Sequence, residues 1–138
     1  MIRTYPVGES INSRITTNTT NMTKEIYTID AQGKKLGRIA SEAAACLMGK
    51  KSVSFAKNKA IDAEVRIVNA NSTDISARKK TSDVYVTYTG HRGGLNSEKL
   101  GDLIDRRGMQ EVFKRAVYSM LPKNKLRAIR MKNLIIQE

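Results

Sequence analysis

Tryptophan is absent, and cysteine and histidine occur once each, as Cys46 and His91. A single cysteine excludes an internal disulfide, and no cysteine/histidine cluster is available to hold zinc. No run approaches the roughly 20 apolar residues of a transmembrane helix, and the start of the chain lacks the apolar core of a signal peptide. Aromatic residues make up only 5% of the chain. No long helical pattern carries a Trp/Phe-rich apolar face, so a membrane-surface helix is not expected. Acidic residues are scarce as well: 13 Asp and Glu face 25 Lys and Arg, for a net charge of +12. These shortages point to a reducing, cytoplasmic setting and a polyanionic partner, with nucleic acid ahead of an anionic membrane.

What is present suffices for one folded domain. Hydrophobic residues make up 40% of 138 positions, enough for a real core. Residues 1–23 are polar and Thr/Asn-rich, without sustained periodicity, and read as a loose extension in which Met22 is an alternative start. Residues 24–138 read as the single domain. A short strand at 26–29 leads into the turn Asp30-Ala31-Gln32-Gly33. Leu36, Ile39, Ala40, Ala43, Ala44, Leu47 and Met48 then repeat at helical spacing up to Gly49. Cys46 flanks this stripe as a partly buried thiol. Residues 65–70 read as a buried strand and 84–89 as an alternating one. Ser97 reads as the cap of a short helix broken by Gly108, followed by a longer helix from Met109 to Leu121. Asn124 reads as the cap of one more helix, before a last strand at 134–136. Strands separated by helices imply an α/β fold with three layers, α/β/α, and a small, mainly parallel sheet of about four strands.

The candidate chemistry is electrostatic. Lys34, Lys35 and Arg38 crowd the start of the first helix, where the helix dipole disfavours cations, so a use beyond helix stability is expected. From Val112 to Lys132 there are seven basic residues and no acidic one: Lys114, Arg115, Lys123, Lys125, Arg127, Arg130 and Lys132. A bound polyanion would relieve their mutual repulsion. Lys50 and Lys51 with Lys57 and Lys59, and Arg78-Lys79-Lys80, form two further clusters. Gly90-His91-Arg92-Gly93-Gly94 permits close backbone approach. It lacks the Lys-Ser/Thr of a nucleotide-binding P-loop, and Gly33-Lys34-Lys35-Leu36-Gly37 is not a Rossmann fingerprint. No Ser or Cys is visibly paired with His91, so no catalytic site, small-molecule substrate or cofactor is expected. Tyr85 and Tyr88 could stack on bases or simply pack within their strand.

Over residues 26–136 these patterns resemble the universal large-subunit ribosomal protein family thirteen. The resemblance rests on Asp30-Ala31, Gly33, Leu36-Gly37-Arg38, Asn69-Ala70, Tyr85, Thr89-Gly90, Gly93-Gly94-Leu95 and Met120-Leu121-Pro122-Lys123, in that order and spacing. The chain departs from the family pattern at Asp62-Ala63, at Tyr88 in place of histidine, at Arg92 in place of proline, and at Leu126-Arg127-Ala128 in place of Leu-Gly-Arg. The resemblance implies a three-layer α/β/α domain that binds large-subunit ribosomal RNA, supports early subunit assembly and touches neighbouring ribosomal proteins. The expected function is therefore structural and non-catalytic, with a free RNA-binding regulator of the same fold as the alternative and a phosphate-substrate enzyme as a more distant one.

Overall fold

The computed structural model describes residues 25–53, 55–56 and 58–138. The expected extension at 1–23, with Met22, and the candidate Lys57 lie outside the described residues. The elements run β1 (Glu25–Asp30), α1 (Leu36–Leu47), β2 (Ala63–Val68), a 3-10 turn (Ala70–Ser72), α2 (Ala77–Ser82), β3 (Val84–Tyr88), β4 (Leu95–Lys99), α3 (Leu100–Met120), α4 (Leu126–Lys132) and β5 (Leu134–Ile136).

β1, β2 and β5 form a parallel sheet with β2 in the middle. Parallel neighbours need crossover connections, which α1 and α3 supply. Tyr27 lies opposite Val65 and Ile29 opposite Ile67, while Val65 and Ile67 face Leu134 and Ile136 on the other side. This row packs under α1 and α3, which also pack on each other. Phe113, Ile39, Leu47, Ile67, Leu100 and Leu103 are the largest fully buried side chains. The stripe read for the first helix is the buried face of α1, and Cys46 is fully rather than partly buried within it.

The α/β class and the small parallel sheet are as expected, but the details differ in two ways. First, the strands progress in one direction, β1 to β2 to β5. Right-handed crossovers then place both long helices on one side. On the opposite face Ile26, Thr28 and Ile135 are exposed, Arg66 and Val68 are half-buried and Glu64 is buried, so α1 and α3 together cover one face of the sheet. Second, the strand expected at 84–89 forms as β3 but leaves the parallel sheet. It pairs antiparallel with β4, Val86 opposite Ser97 and Tyr88 opposite Leu95. Ser97 is therefore a strand residue and not a helix cap; Lys99 occupies the cap position of α3 without a side-chain hydrogen bond. Gly108 does break the helix, with φ 75° and ψ 177° inside α3. Asn124 contributes its backbone carbonyl to Arg127 N–H at 3.1 Å, and no side-chain cap forms at the start of α4.

Candidate nucleic-acid interface

The turn before α1 is held by the ends of the two neighbouring strands. Asp30 Oδ1 accepts from Asn69 Nδ2 at 2.9 Å and from Gln32 N–H at 3.1 Å. The Asn69 amide, then the Gln32 N–H, hold the Asp30 carboxyl below its ordinary range. Asn69 sits at φ 57°, a left-handed conformation that asparagine tolerates better than most residues. Gly33, at φ 64°, donates its N–H to Ser72 O at 3.0 Å, and Asp74 N–H returns to Lys34 O at 3.0 Å. Lys35 pairs with Asp74. Lys34 and Arg38 remain exposed, form no ion pair among the described residues and line a depression with Gly33, Ile39 and Glu42. Lys34 and Lys35 precede α1, while Arg38 is its third residue.

A larger groove opens beside the same helical turn. Leu36 and Gly37 form one end, β3 contributes Tyr85 and Val86, and α2 contributes Lys79. Lys114, Arg115, Tyr118 and Met120 from the second half of α3 complete it. Arg115 lies 5.1 Å from the Tyr85 ring centre and donates Nε to Glu111 at 3.2 Å. Burial pushes the Tyr85 hydroxyl up from its ordinary pKa. Arg127, standing where the resembling family usually has glycine, lies 4.1 Å from the Tyr118 ring centre. Cations of α2 and α3, far apart in sequence, thus meet in one groove that also touches the first turn of α1, while Lys34, Lys35 and Arg38 line a separate depression.

The remaining candidates fall into distinct groups. Lys50 follows the far end of α1 and is exposed, whereas Lys51 is tied to Glu42 at 3.0 Å, a bond that holds its ammonium above the ordinary range. Lys59 is exposed, and its backbone carbonyl is engaged by Arg130. On α2, Lys79 lies 3.8 Å from Asp83, while Arg78 and Lys80 are exposed. Lys114, Lys123 and Lys125 are exposed and unpaired among the described residues. Arg130 is a correction. Only 3% of it is exposed, and its Nη2 donates inward to Lys59 O at 3.2 Å. It ties α4 to the basic loop after α1 and does not belong to the surface set.

The Gly90–Gly94 loop is the tip of the β3–β4 hairpin. His91 and Arg92 are exposed there. Gly90 and Gly93 have φ of 86° and 74°, and a Cβ on Gly94 would run into Thr89 Oγ1. The glycines are thus required by the turn itself, so they do not by themselves mark a contact with another molecule. Gly37 is different: its φ is not left-handed and nothing lies within 4 Å of a built Cβ. Reading the sequence missed α2, β4 and the Tyr118–Arg127 stack. Their nine-residue separation gives no local signal, because it bridges the turn between two helices.

Within the described residues no group of His, Cys, Asp and Glu could hold a metal ion. The fold and its exposed cations define a basic α/β protein. Residues 24–138 match the family described as ribosomal protein L13, and the chain belongs to that family. It is 36% identical to the large ribosomal subunit protein uL13 of Geobacter sp. (strain M21) over 115 residues, 83% of this chain and 80% of the relative. The uL13 of Clostridioides difficile is 40% identical over 108 residues, covering 78% and 75%. The uL13 of Dehalococcoides mccartyi strain 195 is 34% identical over 123 residues, covering 89% and 85%. Members of this family are structural constituents of the large ribosomal subunit, not enzymes.

Proposed function

We propose that the domain at 24–138 binds large-subunit ribosomal RNA through the exposed cations around the first turn of α1, and through this contact supports early subunit assembly in the cytoplasmic ribosome. The observation that carries this reading is that exposed cations flank the first turn of α1 in two places: Lys34 and Arg38 line one depression, and Lys79, Lys114 and Arg115 line a separate groove. Lys34, Arg38 and Lys114 form no ion pair among the described residues, although Lys34 acts on the nearby Asp30 carboxylate, so their charge is largely available to phosphates. Lys50, Lys80, Lys123 and Lys125 extend the cationic surface, and His91 and Arg92 at the hairpin tip offer a second contact. Each neutralised phosphate releases counterions, which makes such binding steeply salt-dependent.

Neighbouring ribosomal proteins are the other proposed partners. The exposed Val84, Tyr88 and Leu95 on the hairpin supply apolar surface for them. The test is sedimentation. The chain should travel with large subunits and resist a moderate salt wash. Recovery as free protein at low salt, with intact subunits in the same gradient, would point instead to the free-regulator alternative.

A further inference from the structure

We propose that the groove between β3 and α3 receives one unpaired nucleotide of RNA, with the base stacked on Tyr118. This deepens the RNA-binding reading above and rests on it.

Tyr118 is 51% exposed although Arg127 lies over its ring at 4.1 Å. A guanidinium on one face leaves the other face for a second planar group. The cation also draws electron density toward itself, so the ring sits between two partners that attract it. Arg127 Nη1 further approaches the Tyr118 carbonyl at 3.5 Å, which fixes the guanidinium beside α3. The platform therefore exists before any ligand arrives.

The walls fit a nucleotide. Val86 and Met120 are exposed apolar side chains along the groove, suited to the edge and face of a base. Lys114 lies four residues before Tyr118 on the same face of α3 and has no acidic partner among the described residues. Its ammonium is available to the phosphate of the stacked nucleotide. Lys79 and Arg115 add positive charge, although Asp83 and Glu111 each offset part of it. Gly37 also lines the groove, and beyond its own helical backbone no described atom comes within 4 Å of a built Cβ. No internal contact requires it here, whereas an entering backbone would. An aromatic floor with a cationic rim is the combination by which proteins hold single-stranded nucleic acid.

The test uses full-length Tyr118→Leu and Tyr118→Phe chains assembled into large subunits, with dimethyl sulfate and 2′-hydroxyl acylation as probes of the ribosomal RNA. In the leucine variant a small set of unpaired nucleotides should become reactive. RNA affinity of the free chain should fall by roughly five- to a hundredfold, the range for losing one stacked base. The phenylalanine variant should match the unmodified chain in both. Unchanged reactivity and affinity in the leucine variant would overturn the proposal. So would loss of a neighbouring protein from the leucine particle with no newly reactive nucleotide, because the occupant would then be a peptide. Failure of the unmodified chain to bind RNA at all would instead refute the broader reading. Should the leucine variant not fold, ultraviolet crosslinking of the unmodified chain in large subunits decides. A nucleotide attached to Tyr118 supports the proposal, and crosslinks elsewhere with none at Tyr118 overturn it.

Discussion

β2 and β3 are nearly equal in length, six and five residues, yet they live in different environments. β2 lies between β1 and β5 and buries Ala63, Glu64, Val65 and Ile67. β3 has one partner and only Tyr85 is half-buried against the core; Val86 is 63% exposed. The parallel half is held by apolar packing. The hairpin half is held at its base by the Leu100 N–H to Asp83 O bond at 2.9 Å and by Arg106, which grips Glu98 with two bonds of 2.7 Å. The contrast divides the labour: one half supplies rigidity, and the other spends apolar and cationic surface on partners.

Mutations should separate the halves. The largest effect is expected for Phe113→Ala, which leaves a cavity under the sheet and should cost about 3–5 kcal/mol by denaturant unfolding. Next is Arg130→Ala, which orphans the Lys59 carbonyl. A loss of about 1–3 kcal/mol is expected, with faster hydrogen exchange in the loop following α1. Gly93→Ala should cost about 1–2 kcal/mol locally, because φ is 74° there. Exchange should accelerate in β3 and β4 while the core amides of β2 stay protected. Acid should act more weakly. Arg106 holds the Glu98 carboxyl below its ordinary range, and Asn69 does the same for Asp30. Depressed carboxylates contribute stability that is present above their unfolded pKa of about 4 and lost as the pH falls through the folded value. The thermal midpoint should therefore drop below about pH 4, and Glu98→Gln should reduce that drop. Smallest is Val86→Thr, which should change stability by less than about 0.5 kcal/mol. A cost near that of Phe113→Ala would erase the distinction between the halves.

The same division decided what could be read from the sequence. α1 was legible because six positions of its apolar stripe, Leu36 to Leu47, lie on its buried face; Met48 caps the helix half-buried. β5 was legible because Leu134-Ile135-Ile136 is a short apolar run beside a helix stop. Gly108 was legible as a break because its backbone requires φ 75°. β4 was not, since Leu-Asn-Ser-Glu-Lys is polar on both faces and its pairing is set by the glycine turn. α2 was hidden for the same reason: no residue of it is buried. The cationic segments were visible as composition, but their partners were not. Asp74 beside Lys35, Glu42 beside Lys51 and the interior around Arg130 are tertiary facts. Sequence could not tell an available cation from one already engaged.

The most direct test is the salt dependence of RNA affinity for a Lys34→Ala, Arg38→Ala, Lys114→Ala triple variant, with its thermal midpoint measured alongside. All three cations are exposed and form no ion pair among the described residues; Lys34 and Arg38 line one depression and Lys114 the groove that touches the first turn of α1. The account predicts a salt slope smaller in magnitude by about 2–3 and an unchanged midpoint. An unchanged slope with a lowered midpoint would contradict it, because these side chains would then be serving the fold and not the RNA.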